Sequence, residues 1–323
     1  MIQRRMVLLI LLVLVAGCSQ KQESPPQDEI VVQLKWEHGV QFAGMYAAQV
    51  QGFYAEENLA VTFEPGGVGV VLEDRLFDGT ADFVVMGATE ALVGRANGQP
   101  HKAIAVINQV SPLVYFAKAD AGITSPHDFA GRRVLVYPDD NVLPIMLARN
   151  GVDPDTLVVV EPQDFALADF YEDRVEIVTG YLTNEVLIAQ RAGYDLAIVY
   201  PDDFGVHVYS DCLVTTDELI AHDPDLVARF LRATLRGWRY AIENPDTAAD
   251  LALDHNSALD PEREHEAMRI IVALVYTGQS EIGWMQAEKW QSMYDMLPAL
   301  GLIETATSLQ DAYTMDFLQQ VYE

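Results

Sequence analysis

Trp36-Glu37-His38-Gly39-Val40-Gln41-Phe42-Ala43-Gly44-Met45-Tyr46, continued by Gly52-Phe53-Tyr54 and closed by Pro65-Gly66-Gly67, is the stretch whose reading decides the fold. Just before it, Ile30 to Leu34 is a β-branched, apolar run and predicts a strand. After Gly39, apolar residues recur at Phe42, Tyr46, Val50 and Phe53, the spacing of a helix with one buried face. Leu59 to Phe63 predicts a second strand. Strand, aromatic-bearing turn, helix and strand make a βαβ unit. Open α/β sheets bind ligands outside the carboxyl ends of their strands. Trp36 stands at such an end, either as a ligand-facing aromatic or as a rim residue of the core.

Upstream, Met1 to Arg5 is short and basic, and Met6 to Ala16 is an unbroken apolar run too short to span a bilayer comfortably. Val15-Ala16-Gly17-Cys18 then places small residues before a cysteine. This is the layout of a secretory signal peptide over residues 1–17. The cysteine resembles that of a lipoprotein signal, which implies lipidation of Cys18; the plainer alternative is an ordinary signal with an incidental cysteine. Residues 18–29 are polar and proline-containing and read as a flexible tether. With Cys18 lipidated, Cys212 has no partner for a disulfide, and its apolar run predicts a buried small hydrophobe.

Half of the 323 residues are hydrophobic, enough for two lobes with a sizeable core. The formal net charge of −28 excludes nucleic acid as a partner, because no basic surface is present to neutralise phosphates, and it disfavours a strongly anionic ligand.

Downstream, Gly66-Gly67-Val68-Gly69 leads into helical spacing from Val70 to Phe77, and no Gly-Lys-Ser/Thr follows to make a phosphate loop. Asp82 to Met86 predicts a strand, with Gly87-Ala88-Thr89-Glu90 opening a helix, where Thr89 is a ligand contact or a cap. From Arg132 to Tyr200 strands and helices alternate over short connections, as in a mainly parallel sheet. Val206 to Tyr209 and Leu213 to Thr215 read as strands, and the chain is expected to cross between lobes near 114–118 and 209–214. Lobe 1 is thus expected to comprise residues 30–115 and 212–323, and lobe 2 residues 116–211. Pro224 to Ala241, Pro245 to Asp254, Pro261 to Val275 and Gln286 to Leu297 predict helices that complete lobe 1.

The opening stretch, together with Tyr181-Leu182-Thr183-Asn184-Glu185 and the segment Pro201 to Leu213, resembles solute-binding proteins of ABC importers related to the thiamine-pyrimidine precursor family. The resemblance covers roughly residues 30 to 245. It implies an α/β, two-lobed periplasmic-binding-protein type II fold, each lobe a mixed sheet flanked by helices. It also implies ligand contacts from Trp36, Gln41, Phe42, Tyr46, Thr89, Tyr181, Asn184, Glu185 and Asp211. Read from the residues alone, Glu185 is a favourable charge in a first helical turn or an acceptor for ring N–H donors. Asp211 is a hinge acceptor or a turn residue, and Tyr209 a core residue. His38 is a ligand hydrogen-bond partner or a solvated side chain.

Enzyme readings lack a motif. There is no Gly-x-Ser-x-Gly, no His-x-x-x-His and no Cys-x-x-Cys. Fungal relatives in the wider family act in pyrimidine synthesis through a cysteine- and histidine-bearing segment that is not found here. No enzyme activity, cofactor or metal is therefore expected. Pyrimidine-precursor binders resemble Trp-x-Pro-Asn-x-x-His-Thr-Gly after the first strand, whereas this chain has Trp36-Glu37-His38-Gly39-Val40-Gln41-Phe42-Ala43-Gly44. The resemblance to riboflavin-binding members then implies a neutral aromatic N-heterocycle, riboflavin ahead of the thiamine precursor. Sulfonate-type ligands rank third, since no positive charge is evident for them. The expected whole is a monomeric, lipid-anchored binding protein on the extracytoplasmic face of the cell membrane with an ABC permease as partner. A sensor module for a signalling partner is the alternative; the chain ends soon after its last helix, which favours the importer.

Overall fold

A computed structural model describes residues 26–137, 140–161, 167–298, 301–303 and 309–323. The signal peptide, Cys18 and most of the tether lie outside the described residues. Strand β1 (Asp28–Gln33) pairs in parallel with β2 (Leu59–Glu64) and β3 (Phe83–Met86). β4 (His101–Asn108) pairs antiparallel with the late strand β10 (Ser210–Thr216), which also joins β3, giving the order β2-β1-β3-β10-β4. The second sheet has the order β7-β6-β8-β5-β9, from β5 (Leu113–Lys118), β6 (Arg133–Leu135), β7 (Val158–Val160), β8 (Ile177–Tyr181) and β9 (Leu196–Val199). β6 runs parallel to β7 and β8, and β5 antiparallel to β8 and β9. Each sheet is mixed: a parallel βαβ part is joined by one antiparallel strand received from the other half of the chain.

Because Leu113 already pairs in the second sheet and Ser210 in the first, the passages between sheets lie at 109–112 and 205–209. Both fall a few residues earlier than the expected crossings, which sit inside strands. Val206 to Tyr209, expected as a strand, is connector without ladder pairing.

Helices cover both sheets. In the first lobe are α1 (Ala43–Val50), α2 (Phe53–Glu56), α3 (Leu72–Phe77) and α4 (Ala88–Ala96). In the second are α5 (Val142–Arg149), α6 (Ala168–Tyr171) and α7 (Glu185–Arg191). The chain then returns to the first lobe with α8 (Asp217–His222), α9 (Pro224–Glu243), α10 (Pro245–His255), α11 (Pro261–Val275), α12 (Ala287–Met296) and α13 (Asp316–Tyr322). Bridges from Ala103 to Tyr313 and from Val106 to Gly283 tie this C-terminal part to β4.

Helix α9 shows why these residues fold as they do. Asp223 accepts a hydrogen bond from the Leu226 amide, and Pro224 occupies the first turn, where its missing N–H is not needed. Val227, Phe230, Leu231, Thr234, Leu235, Trp238 and Ala241 then recur at three- and four-residue intervals and are buried. Each large apolar side chain so buried contributes roughly 1.5–3 kcal/mol. The face packs on α1, where Gly44 lies against the Trp238 ring and Gly237 against the α1 backbone. On α1 the expected apolar stripe holds for Phe42 and Tyr46 but not for Val50, which is 59% exposed at the helix end.

The core of the first lobe also buries a histidine. His101 on β4 donates from Nε2 to the Ala91 carbonyl at 3.0 Å, while its Nδ1 has no hydrogen-bond partner among the described residues. Burial lowers its pKa, against the opposing pull of the Ala91 hydrogen bond. The folded state therefore resists a proton that the unfolded chain accepts below about pH 6.5. This group's contribution is fully present above that pH and is lost as pH falls. His101→Asn is expected to flatten the decline in stability between about pH 7 and pH 5, measured as urea midpoints. An unchanged slope would remove His101 from the acid response.

A candidate ligand cleft between the lobes

The strand-to-helix turns that follow β1, β3, β6 and β8 are at carboxyl ends of parallel strands, the ends at which α/β sheets bind ligands. Lys35 leaves the end of β1, and its ammonium stands 5.2 Å from the centroid of the Tyr181 ring at the end of β8, so the two lobes meet here. Lys35 forms an ion pair with Asp211, and its ammonium lies 3.4 Å from Ser210 Oγ. Burial opposes the lysine's charge, but the Asp211 carboxylate, with Tyr181 and Glu90 adding to it, outweighs burial and holds the ammonium above the usual lysine range.

Asp211 is 2% exposed and accepts a 2.8 Å hydrogen bond from Asn108 Nδ2. Its φ of 56° is left-handed, a conformation aspartate tolerates better than most residues. The residue is thus a structural tie at the point where β10 begins, joining the ends of β1 and β4.

Tyr181 is fixed by Glu185. The Tyr181 amide donates to Glu185 Oε2 at 2.8 Å, and Asn184 Nδ2 donates to Oε1 at 2.8 Å. Glu185 is only 6% exposed, and burial raises its pKa against these hydrogen bonds. In this structure its carboxylate braces the Tyr181 turn.

The same pattern recurs at the neighbouring turns. The Gly87 amide donates to Glu90 at 2.8 Å at the start of α4, so Glu90 and not Thr89 caps that helix. Asp140 accepts from the Val142 and Leu143 amides at 2.9 and 3.1 Å, and from the Tyr115 and Thr179 hydroxyls at 2.9 and 3.1 Å. The Val40 amide, ahead of α1, donates to Glu264 at 3.2 Å. Amide groups that in other chains would attract an anion are here met by the chain's own carboxylates.

Of the residues expected at the ligand, Tyr181, Asn184, Glu185 and Asp211 gather at this floor. Trp36, half-buried, packs on the first-lobe core next to Lys35, and Thr89 is buried in the first turn of α4. Gln41 is half-buried in the short turn of helix before α1. Phe42 and Tyr46 pack into the first-lobe core, 1% and 0% exposed. Tyr46 stacks on His255 at 4.0 Å and bonds to His38 Nδ1 at 3.0 Å. His38, in turn, stacks on His255 at 5.2 Å and is not a lone solvated side chain. Tyr209 is core as expected, its hydroxyl accepting from the Gln286 amide at 2.9 Å.

Sequence reasoning missed Lys35 and Asp140. A lysine at the end of an apolar strand was the available signal for the first. Its importance depends on Asp211, far away in the chain. Across the cleft rim, Arg191 of α7 reaches Asp260 and Glu262 at the start of α11, at 3.3 and 3.1 Å.

Two lobes, each a mixed five-stranded sheet flanked by helices and exchanging one strand, define a two-lobed type II binding-protein fold. The chain belongs to the NMT1/THI5-like family, whose model matches residues 40–248. It is 25% identical over 306 residues to the riboflavin-binding protein RibY of Chloroflexus aurantiacus, covering 91% of this chain and 87% of that protein. It is 23% identical over 323 residues to the formylaminopyrimidine-binding protein of Halalkalibacterium halodurans, covering 95% and 96%. Among solved structures it superposes on the periplasmic aliphatic sulphonate binding protein SsuA of Escherichia coli with a TM-score of 0.68 at 14% identity, covering 89% and 92%.

Proposed function

We propose that the protein is the lipid-anchored, extracytoplasmic binding component of an ABC importer, and that its ligand is a neutral aromatic N-heterocycle, riboflavin first. One observation carries the ligand reading: the half-buried Tyr181 ring stands where the lobes meet, and the Lys35 charge beside it is already paired with Asp211. A flat, uncharged ring gains stacking there and asks for no counter-charge. A sulfonate needs a net counter-charge, and the Lys35 charge is already neutralised by Asp211, which leaves its ammonium able to donate to a neutral acceptor but not to balance an anion. Relatives named for riboflavin and for formylaminopyrimidine binding support this ligand class.

Cleft closure over the ring is the signal to the permease, with Trp36, Gln41, Thr89, Tyr181, Asn184, Glu185 and Asp211 around the ligand and Cys18 bearing the lipid. The protein acts as a monomer and needs no cofactor.

Calorimetric titration with riboflavin and with formylaminopyrimidine in parallel tests the reading. Riboflavin is expected to bind with its fluorescence quenched, and Tyr181→Ala to weaken it by about tenfold or more through lost stacking. Binding of the pyrimidine alone would discard the flavin and keep the importer. Binding of neither would discard both ligands.

A further inference from the structure

The cleft floor carries one donor group that the neutral-ring reading leaves without a role. A lysine ammonium has three N–H donors. Asp211 takes one and Ser210 Oγ lies within reach of a second; the Tyr181 ring face stands 5.2 Å away, with the Glu90 carboxylate acting on the ammonium only as a more distant charge. A ring face is a weaker partner than an oxygen lone pair. A flat ligand laid on Tyr181 at van der Waals separation, about 3.5–4 Å, takes the space the ammonium now occupies. The ammonium must then move to the ligand's edge, which its flexible stem permits while Asp211 holds it nearby. Asp211 is itself fixed by Asn108, so the donor stays anchored at the hinge end of the cleft.

We infer that Lys35 is a specificity-determining ligand contact, donating to a ring carbonyl and so selecting heterocycles with an imide or ureide edge over amino-substituted rings. The inference rests on the flat-ring reading above. Its chemistry is the asymmetry of buried hydrogen bonds. A carbonyl oxygen satisfies the charged donor, whereas a ring amine sets donor against donor and leaves both unpaired. The lysine stays charged through the whole neutral range, so this preference does not fade with modest changes of pH.

The test is the ratio of riboflavin to formylaminopyrimidine affinity in the full chain, measured by calorimetry. Lys35→Met is combined with Asp211→Asn, so that no buried carboxylate is left without its partner. Asp211→Asn alone serves as the reference. Riboflavin affinity is expected to fall by about tenfold or more, the loss typical of a charge-assisted hydrogen bond. Formylaminopyrimidine carries a formyl carbonyl on its side arm but none on its ring, so its affinity should fall by less and the ratio narrows. An equal loss for both rings, or no loss, overturns the inference, because a purely structural lysine would not change the ratio. A parent protein that binds neither ring overturns the flat-ring reading together with this one. A parent that binds riboflavin with an unmoved ratio in the variant overturns Lys35 alone. If the double variant does not fold, Lys35→Gln with Asp211→Asn replaces it. Its amides can bond to each other without charge, and the ratio should narrow in the same direction.

Discussion

Asp211→Ala is expected to destabilise the protein by roughly 3–5 kcal/mol, the loss typical when one partner of a buried ion pair is removed. Lys35 is 15% exposed by side chain, so its charge would be left with little water to replace the carboxylate. The Asn108 amide would lose its 2.8 Å acceptor at the same time. Alanine would also have to hold the left-handed backbone, which aspartate tolerates better. Chemical denaturation separates these contributions. Asp211→Asn keeps the backbone tolerance and an acceptor but drops the charge, and should lose less than alanine. Adding Lys35→Met to Asp211→Asn should recover much of what Asp211→Asn loses, since neither charge is then buried alone. The pH dependence has a definite sign. Lys35 has its folded pKa raised, so the pair's contribution is complete below the ordinary lysine pKa and lost only as pH rises through the folded value. The penalty should therefore be flat from about pH 5 to pH 9. A loss below about 1 kcal/mol would mean that the floor of the cleft relaxes freely around an unpaired lysine.

The second large effect concerns Gly237. Helix propensity alone says that Gly237→Ala should stabilise α9 by about 1 kcal/mol. Packing says the reverse. A Cβ at Gly237 would press into the Gly44 carbonyl oxygen and stand 2.6 Å from Ala48 Cβ and 2.7 Å from the Ala48 amide nitrogen. These are backbone or near-backbone atoms of α1 and cannot swing aside. The two helices would have to separate, opening the contact in which Trp238 covers Gly44. Overpacking of this kind typically costs about 1–3 kcal/mol, at the upper end where backbone must move. The expected result is a net loss of about 2–3 kcal/mol in urea denaturation, with the sign deciding between the two effects. A variant more stable than the parent would show that α1 and α9 have slack the structure does not reveal.

The order of strands and helices was legible because alternation of short β-branched runs with helical spacing is a local signal, and local signals survive without knowledge of the fold. The helices from Pro224 to Val275 were readable for the same reason: each opens on a proline after an acidic or amide residue. What failed was whatever depends on partners distant in sequence. Val206 to Tyr209 has strand composition, but no strand among the described residues pairs with it. That Phe42 and Tyr46 pack beneath α9 and α10 was likewise not legible, because those helices come far later in the chain. Of the expected site, Tyr181, Asn184 and Glu185 were legible as a block at a strand end. Lys35 was not, because a lysine at a strand end reads as a surface residue until Asp211 is placed beside it. Asp140 was missed for a related reason: its four donors come from three separate elements, β5, β8 and α5.

The sequence holds only two cysteines, and one of them, Cys212, lies on β10 between two neighbouring strands with no exposed surface. Burial pushes its thiol well above the ordinary range, with the Asp211 carboxylate adding to the effect. Thiolate, the form that reacts with alkylating dyes, is therefore scarce there, and reagent has no path to it. Downstream of Cys18, the protein is in practice blank to thiol chemistry without any engineering. A single cysteine set on the cleft rim would give one uniquely addressable position, and a fluorophore attached there would report lobe movement without a competing background label.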